Sequence, residues 1–167
     1  MRVEAAPFDF EAVFQAHYER IARVIARVVR DPGRAEELAV EVFWKLWRHP
    51  RAQGPQTRGW LYRAAVRVAL DELRKQSRRE KYERLFGLAR RVKTPEELQQ
   101  ESQRQRHIRI VLAALARRQA ELLLLRGDGL SYQDIAQALE LNPASVGTLL
   151  SRAQEAFRKE YLRRYGK

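Results

Sequence analysis

No cysteine occurs among the 167 residues, which removes disulfides, thiolate zinc sites and a cysteine nucleophile together. The histidines, at 17, 49 and 107, are too scattered for metal-ligand spacing, and His17 sits on an apolar stripe where a core or boundary role is expected. No glycine-rich loop that could cradle a phosphate is present. Paired carboxylates occur at Glu36 and Glu37 and at Glu96 and Glu97, but both pairs fall in first helical turns, where the helix dipole and capping account for them. These absences predict a protein that is not an enzyme and needs no cofactor or metal. No apolar run approaches the ~18 residues of a membrane span, and residues 1–10 lack a signal-peptide pattern, so a cytoplasmic protein without membrane insertion is expected. Strand-like alternation and hairpin dipeptides are missing as well. Helical periodicity runs almost throughout, and the predicted class is all-α.

Acidic residues are also in the minority. Lys and Arg number 33 against 21 Asp and Glu, giving a net charge of +12 and a sequence pI near 10.7. Such a balance implies a polyanionic partner, nucleic acid or an acidic membrane surface. Of the basic residues 27 are Arg, whose planar fork suits bidentate phosphate and guanine contacts.

The apolar pattern divides the chain into two groups of helices. The first holds a helix from about Asp9 to Arg30, ended by Asp31, Pro32 and Gly33. A second spans roughly Arg34 to Arg48, with a core stripe at Ala35, Leu38, Ala39, Val42, Phe43 and Leu46. After a loop with Pro50, Gly54 and Pro55, a third begins near Thr57 and runs past Arg79. Regularity fades after residue 80, and Thr94, Pro95, Glu96 and Glu97 form a new start signal. The expected division is a domain over 1–80, a linker over 81–103 and a domain over 104–167. In the latter, Leu130 to Tyr161 writes out two helices. Ser131 caps the first, Asn142 and Pro143 open the second, and Glu140 and Leu141 leave room only for a short turn. This reads as a helix-turn-helix, although an ordinary antiparallel helix pair would show the same stripe of Val146, Leu149, Leu150, Ala153 and Phe157. The opposite face carries Ala144, Ser145, Thr148, Ser151 and Arg152, small and polar enough to enter a DNA major groove.

Two further faces stand out. On the second helix Val40, Trp44 and Trp47 lie opposite the core stripe, flanked by Glu37, Glu41 and Arg48. They either pack within the domain or dock a partner as aromatic anchors ringed by charge. On the third helix Trp60, Arg63, Arg67, Asp71, Arg74 and Arg78 share a face. That stripe could track a phosphate backbone, with Trp60 stacking on an unpaired base, or it could be a solvated charged face. Arg51, Gln53 and Gln56 in the preceding loop can all hydrogen-bond a base edge.

Taken in order, the stretches RAEELAVEVFWKLWR (34–48), GWLYRAAVRVALDELRKQSRR (59–79), SYQDIAQAL and SVGTLLSRA resemble the extracytoplasmic-function sigma factors, the small bacterial members of the sigma-70 family. The resemblance covers nearly the whole chain. It implies an alternative sigma factor, a monomer when free, that binds core RNA polymerase at the clamp helices and flap and directs promoter-specific initiation. By the same resemblance Glu37, Val40, Glu41, Trp44, Trp47 and Arg48 would meet polymerase. The loop at 49–56 and the helix start after it would capture bases of the melted minus-ten element, while Arg74, Lys75, Arg78 and Arg79 hold phosphates. Ser131, Tyr132 and the face from Ala144 to Arg152 would read the minus-thirty-five element, and an anti-sigma protein is a possible further partner. Departures from the family pattern are Val40 for Gln, Arg67 for Asn, Gly147 and Leu149 for basic residues, and Ala116 for Pro. Two other functions fit the composition: a stand-alone helix-turn-helix regulator, and a basic module that binds an acidic protein or a membrane surface.

Overall fold

Asp9 opens the first helix as an N-cap, its carboxylate accepting the Ala12 N–H at 3.0 Å. The computed structural model describes residues 7–87 and 102–166, and every regular element among them is helical. Helix α1 (Phe10–Val29) stops at Arg30, whose left-handed φ of 61° turns the chain while its N–H still reaches the Ala26 carbonyl. Asp31 then caps α2 (Pro32–Trp47) through the Arg34 N–H. The sequence pattern assigns Asp31, Pro32 and Gly33 to the end of α1. They begin α2 instead, because proline in the first helical turn loses no hydrogen bond. A 3-10 turn (Pro50–Ala52) leads to α3 (Thr57–Leu85), 29 residues and so about 43 Å long.

The second group begins at α4 (Gln103–Ala114), where Ser102 and Gln105 form a reciprocal capping box. The start signal expected at Thr94–Glu97 lies outside the described residues. Helix α5 (Arg117–Gly127) follows, then α6 (Tyr132–Leu139) and α7 (Pro143–Tyr165). Glu140 takes the left-handed position after α6, with φ of 55°, and the Leu141 N–H closes back on the Ala136 carbonyl at 2.8 Å. Asn142 caps α7 through the Ala144 N–H. The two-helix unit therefore has the tight turn its sequence signals require.

Helices α1, α2 and α3 pack around Ile25, Val42, Phe43, Leu46 and Leu61, all buried, while α7 closes over α4, α5 and α6 at Leu122, Leu125, Ile135 and Val146. The six residues of the predicted α2 stripe are all buried. Helix α3 belongs to both groups, because it also contacts α4, α5 and α6. From Leu61 to Leu70 it is buried on almost every side, at Leu61, Tyr62, Ala65, Val66, Val68, Ala69 and Leu70. A helix apolar all round must be covered all round. Near its start Gly59 lies against the backbone of α6, so close that a Cβ there would stand 3.3 Å from the Ala138 N and Cα.

Around this apolar waist runs a ring of ions. The Arg67 Nε donates to Glu121 at 2.8 Å, and Glu121 is only 1% exposed. Arg63 meets Glu140 and Arg58 meets Asp134, each at 3.1 Å. Arg27 reaches Asp128 at 2.7 Å, and in the reverse sense Arg117 reaches Asp71 at 2.8 Å. Arg74 donates to the Leu115 carbonyl at 3.1 Å.

Two stability measurements check this packing by urea denaturation. Phe43→Ala should cost about 3–5 kcal/mol, whereas Trp44→Ala beside it should change stability by less than about 1 kcal/mol. Arg67→Ala, which strips buried Glu121 of its nearest cation, should cost about 2–3 kcal/mol, with at least half recovered when Arg67→Met is combined with Glu121→Leu.

Candidate functional site

The α2 register decides the fate of its second apolar face. With Phe43 turned fully inward, Val40, Trp44 and Trp47 stand 54%, 59% and 57% exposed. The Trp47 ring meets the Phe10 ring edge to face, with centroids 5.1 Å apart. Glu37 pairs with Arg34 at 2.8 Å, and Arg34 also reaches Glu72 on α3 at 3.1 Å. Those two carboxylates, Glu72 first, hold the Arg34 guanidinium above its ordinary pKa and fix α2 against α3. Glu41 pairs with Lys45 at 3.1 Å, and Arg48 ends the helix in solvent. The result is an apolar ridge with a charged border on a rigid support.

The loop from His49 to Gln56 is built from its own side chains. Buried Thr57 donates its hydroxyl to the Ala52 carbonyl and accepts the Gly54 N–H, both at 2.8 Å. The Gln53 amide donates to the Leu46 and Trp47 carbonyls at 3.1 and 3.2 Å, and the Gln56 amide donates to the Arg51 carbonyl at 2.7 Å. Both glutamine amide groups therefore shape the loop, while Arg51 is exposed. Trp60 is half-buried with its ring 6.3 Å from that of His49. By pattern alone Thr57 marks only a helix start. A hydroxyl residue at the end of a Gly/Pro loop is the signal for such a clasp.

Along α3 the predicted cationic stripe divides in two. Arg63, Arg67 and Arg74 face the second group of helices and are engaged there, together with Arg58, which the stripe does not include. Lys75, Arg78 and Arg79, towards the far end of the helix, are exposed to solvent. His17 is half-buried on α1. Burial first, then Arg58 and Arg20, hold its imidazole below the ordinary pKa, consistent with a neutral boundary residue.

On α7 the two faces separate as expected. Val146, Leu150 and Ala153 are buried, while Ala144, Ser145, Thr148, Ser151 and Arg152 are exposed. The Ser131 hydroxyl accepts the Asp134 N–H at 3.1 Å, and the Tyr132 ring, 46% exposed, lies beneath Arg126 at 5.3 Å. Gly147 adjoins that ring. Further along α7, Glu155 pairs with Arg158, and Arg163 and Arg164 hold the Glu160 pKa down to about 2. Arg152, near the start of this helix, is exposed. Among the described residues no cluster could hold a metal ion, and no helix is long and apolar enough to cross a membrane.

Comparison with known proteins matches these two units separately. Residues 13–79 match Sigma-70 region 2, and residues 108–156 match Sigma-70, region 4. The chain is 30% identical to the ECF RNA polymerase sigma factor SigK of Mycolicibacterium vanbaalenii over 93% of its own length and 85% of that protein's. It is 28% identical to SigK of Mycobacterium sp. (strain JLS), over 89% and 79% of the two chains. Among solved structures, the sigma factor RpoE from Bartonella quintana, crystallised with the anti-sigma factor NepR, aligns with a TM-score of 0.53 at 18% identity. That alignment covers 91% of this chain and 96% of the other, and it supports the helical fold. With both regions present in order and a relative aligned across most of both chains, this chain belongs to the extracytoplasmic-function sigma factors of the sigma-70 family.

Proposed function

We propose that this chain binds core RNA polymerase through the α2 ridge and directs it to a bipartite promoter, whose melted minus-ten bases the first domain captures. The observation that carries the proposal is the exposure of Val40, Trp44 and Trp47 on a helix whose other stripe is wholly buried. Leaving two indoles and a valine in water is unfavourable, and a partner that covers them recovers that free energy. Glu37, Glu41 and Arg48 form the border that would orient the clamp helices on the ridge, and the second domain would meet the flap.

Promoter contact divides among three places. Arg51 and Trp60 would meet extruded minus-ten bases, the Trp ring by stacking, on a loop held in shape by Thr57, Gln53 and Gln56. Lys75, Arg78 and Arg79 would hold phosphates downstream along α3. The exposed α7 face, with Ser131 and Tyr132 beside it, would read minus thirty-five, and its small residues permit close approach to base edges. Residues 1–80 and 104–167 would act as the two recognition domains, joined by 81–103, so that one bound element raises the effective concentration of the other. An anti-sigma protein would silence the chain by covering the α2 ridge.

Val40→Ala with Trp44→Ala should weaken binding to core polymerase at least about tenfold, as expected for a pair of hot-spot residues, while circular dichroism and urea midpoint stay near those of the parent. Unfolding of the double variant, or unchanged affinity, would contradict the docking assignment. Arg78→Ala with Arg79→Ala should lower holoenzyme affinity for promoter DNA and flatten its log–log salt slope by about 0.9 for each duplex phosphate no longer neutralised. An unchanged slope would remove these residues from the DNA interface.

A further inference from the structure

Between α1, α4 and α5 lies a cavity of about 220 Å³. Its walls are aliphatic: Val24 and Val28 stand one turn apart on α1, Ile108 and Leu112 one turn apart on α4, and Leu123 and Leu124 come from α5. Close-packed interiors leave few voids larger than a water molecule. An apolar cavity of about 150 Å³ stays dry and takes up benzene, and by that measure the space here holds roughly nine non-hydrogen atoms. It is too small for a lipid with two chains and too apolar for a free sugar phosphate.

The polar part of the lining is cationic. Arg27 and Arg30 come from α1 and its C-cap, and Arg109 comes from α4. Among the described residues that line the cavity one carboxylate stands against them, that of Asp128 at the end of α5. The Arg27 Nη1 donates to Asp128 at 2.7 Å and the Arg30 Nη2 donates to the Gln105 side-chain oxygen at 2.7 Å, contacts that hold both guanidiniums in place. A guanidinium carries five N–H donors, so contacts already made leave capacity for a further acceptor. Burial pushes the Asp128 carboxyl above its ordinary pKa, against the pull of Arg27, Arg20 and Arg23. This corner is therefore poorly hydrated, and an anion meeting a guanidinium there is held more strongly than in open water. We propose that the cavity binds a free carboxylate with a single apolar tail, of the medium-chain fatty acid class, its tail among the aliphatic walls and its carboxylate at the arginines. An apolar pocket with a few convergent polar groups is the usual composition of a small-molecule site. Because the walls come from both groups of helices, the bound carboxylate stabilises the assembled chain by mass action.

The test is titration of the full chain with sodium octanoate, with 1-octanol as its uncharged counterpart and acetate as the headgroup alone. Calorimetry gives affinity and stoichiometry, and NMR of the valine and leucine methyl groups locates the site. Octanoate should saturate at one molecule per chain, raise the thermal midpoint and shift the methyl signals of Val24, Val28, Leu112 and Leu124 first. Octanol should bind at least about tenfold more weakly, as expected for loss of a charge-assisted hydrogen bond, and acetate not measurably. Ile108→Trp, which fills the cavity from a half-buried position, should weaken octanoate at least about tenfold; Leu124→Phe takes its place if circular dichroism shows that it does not fold. Arg30→Gln and Arg109→Gln, each alone, should weaken octanoate at least about threefold and leave octanol unchanged. Lys81→Gln with Arg84→Gln, at the exposed end of α3, is the control for net charge and should bind octanoate as the parent does. Absence of saturable binding, methyl shifts confined to other parts of the chain, equal affinity for octanol and octanoate, or undiminished binding in a folded filled variant would each overturn the proposal.

Discussion

The interaction on which the rest of the structure depends is the burial of α3 between two groups of helices. From Leu61 to Leu70 the helix presents apolar side chains in every direction, so neither α1 and α2 nor α4 to α6 can cover it alone. Where arginines interrupt that surface they are answered from across the seam. The central case is Arg67 with Glu121, a carboxylate with almost no access to water. A charge so placed is tolerated only while its partner is present. Glu121 therefore acts less as a source of stability than as a specification of which face of α5 meets α3.

The surfaces proposed to meet partners are those this shared helix and its neighbours leave uncovered. Helix α2 is held by the Arg34 bridge to Glu72 and by its six-residue stripe, which frees Val40, Trp44 and Trp47 to form a rigid apolar ridge. The loop before α3 uses two glutamine amides and a threonine hydroxyl to hold its own shape, leaving Arg51 outward. A site shaped in advance loses less conformational entropy on binding. On the second domain α7 offers a small-residue face that stays open to solvent. Each of these surfaces is exposed in the free chain.

Local features of this arrangement are legible in the sequence because they arise from short-range physics. Ser131, Asn142 and Pro143 mark helix ends that the structure reproduces, and the α2 stripe lies wholly inside. The cap at Asp31 is ambiguous in the sequence because the same Asp-Pro-Gly triplet can end one helix or begin the next, and only the left-handed Arg30 decides between them. Gln53 and Gln56 resemble base readers because polar loop residues signal both functions equally; their amides prove to bind carbonyls five to seven residues away. The cationic stripe is visible as a pattern, but its partners are not. Arg67 and Glu121 are 54 residues apart and Arg58 and Asp134 are 76 apart, and no periodicity within one helix reports such a pairing. Tyr62, Val66 and Leu70 carry the missing hint, since a third apolar side on α3 requires a third neighbour.

The absence of cysteine makes the decisive measurement simple, because spin labels can be placed one per domain without removing a native thiol. With labels at exposed positions 19 on α1 and 159 on α7, pulsed electron spin resonance reports the distance between the domains. The account predicts one narrow distance distribution in the free chain, set by the two groups of helices that share α3. A broad distribution in the free chain would contradict it.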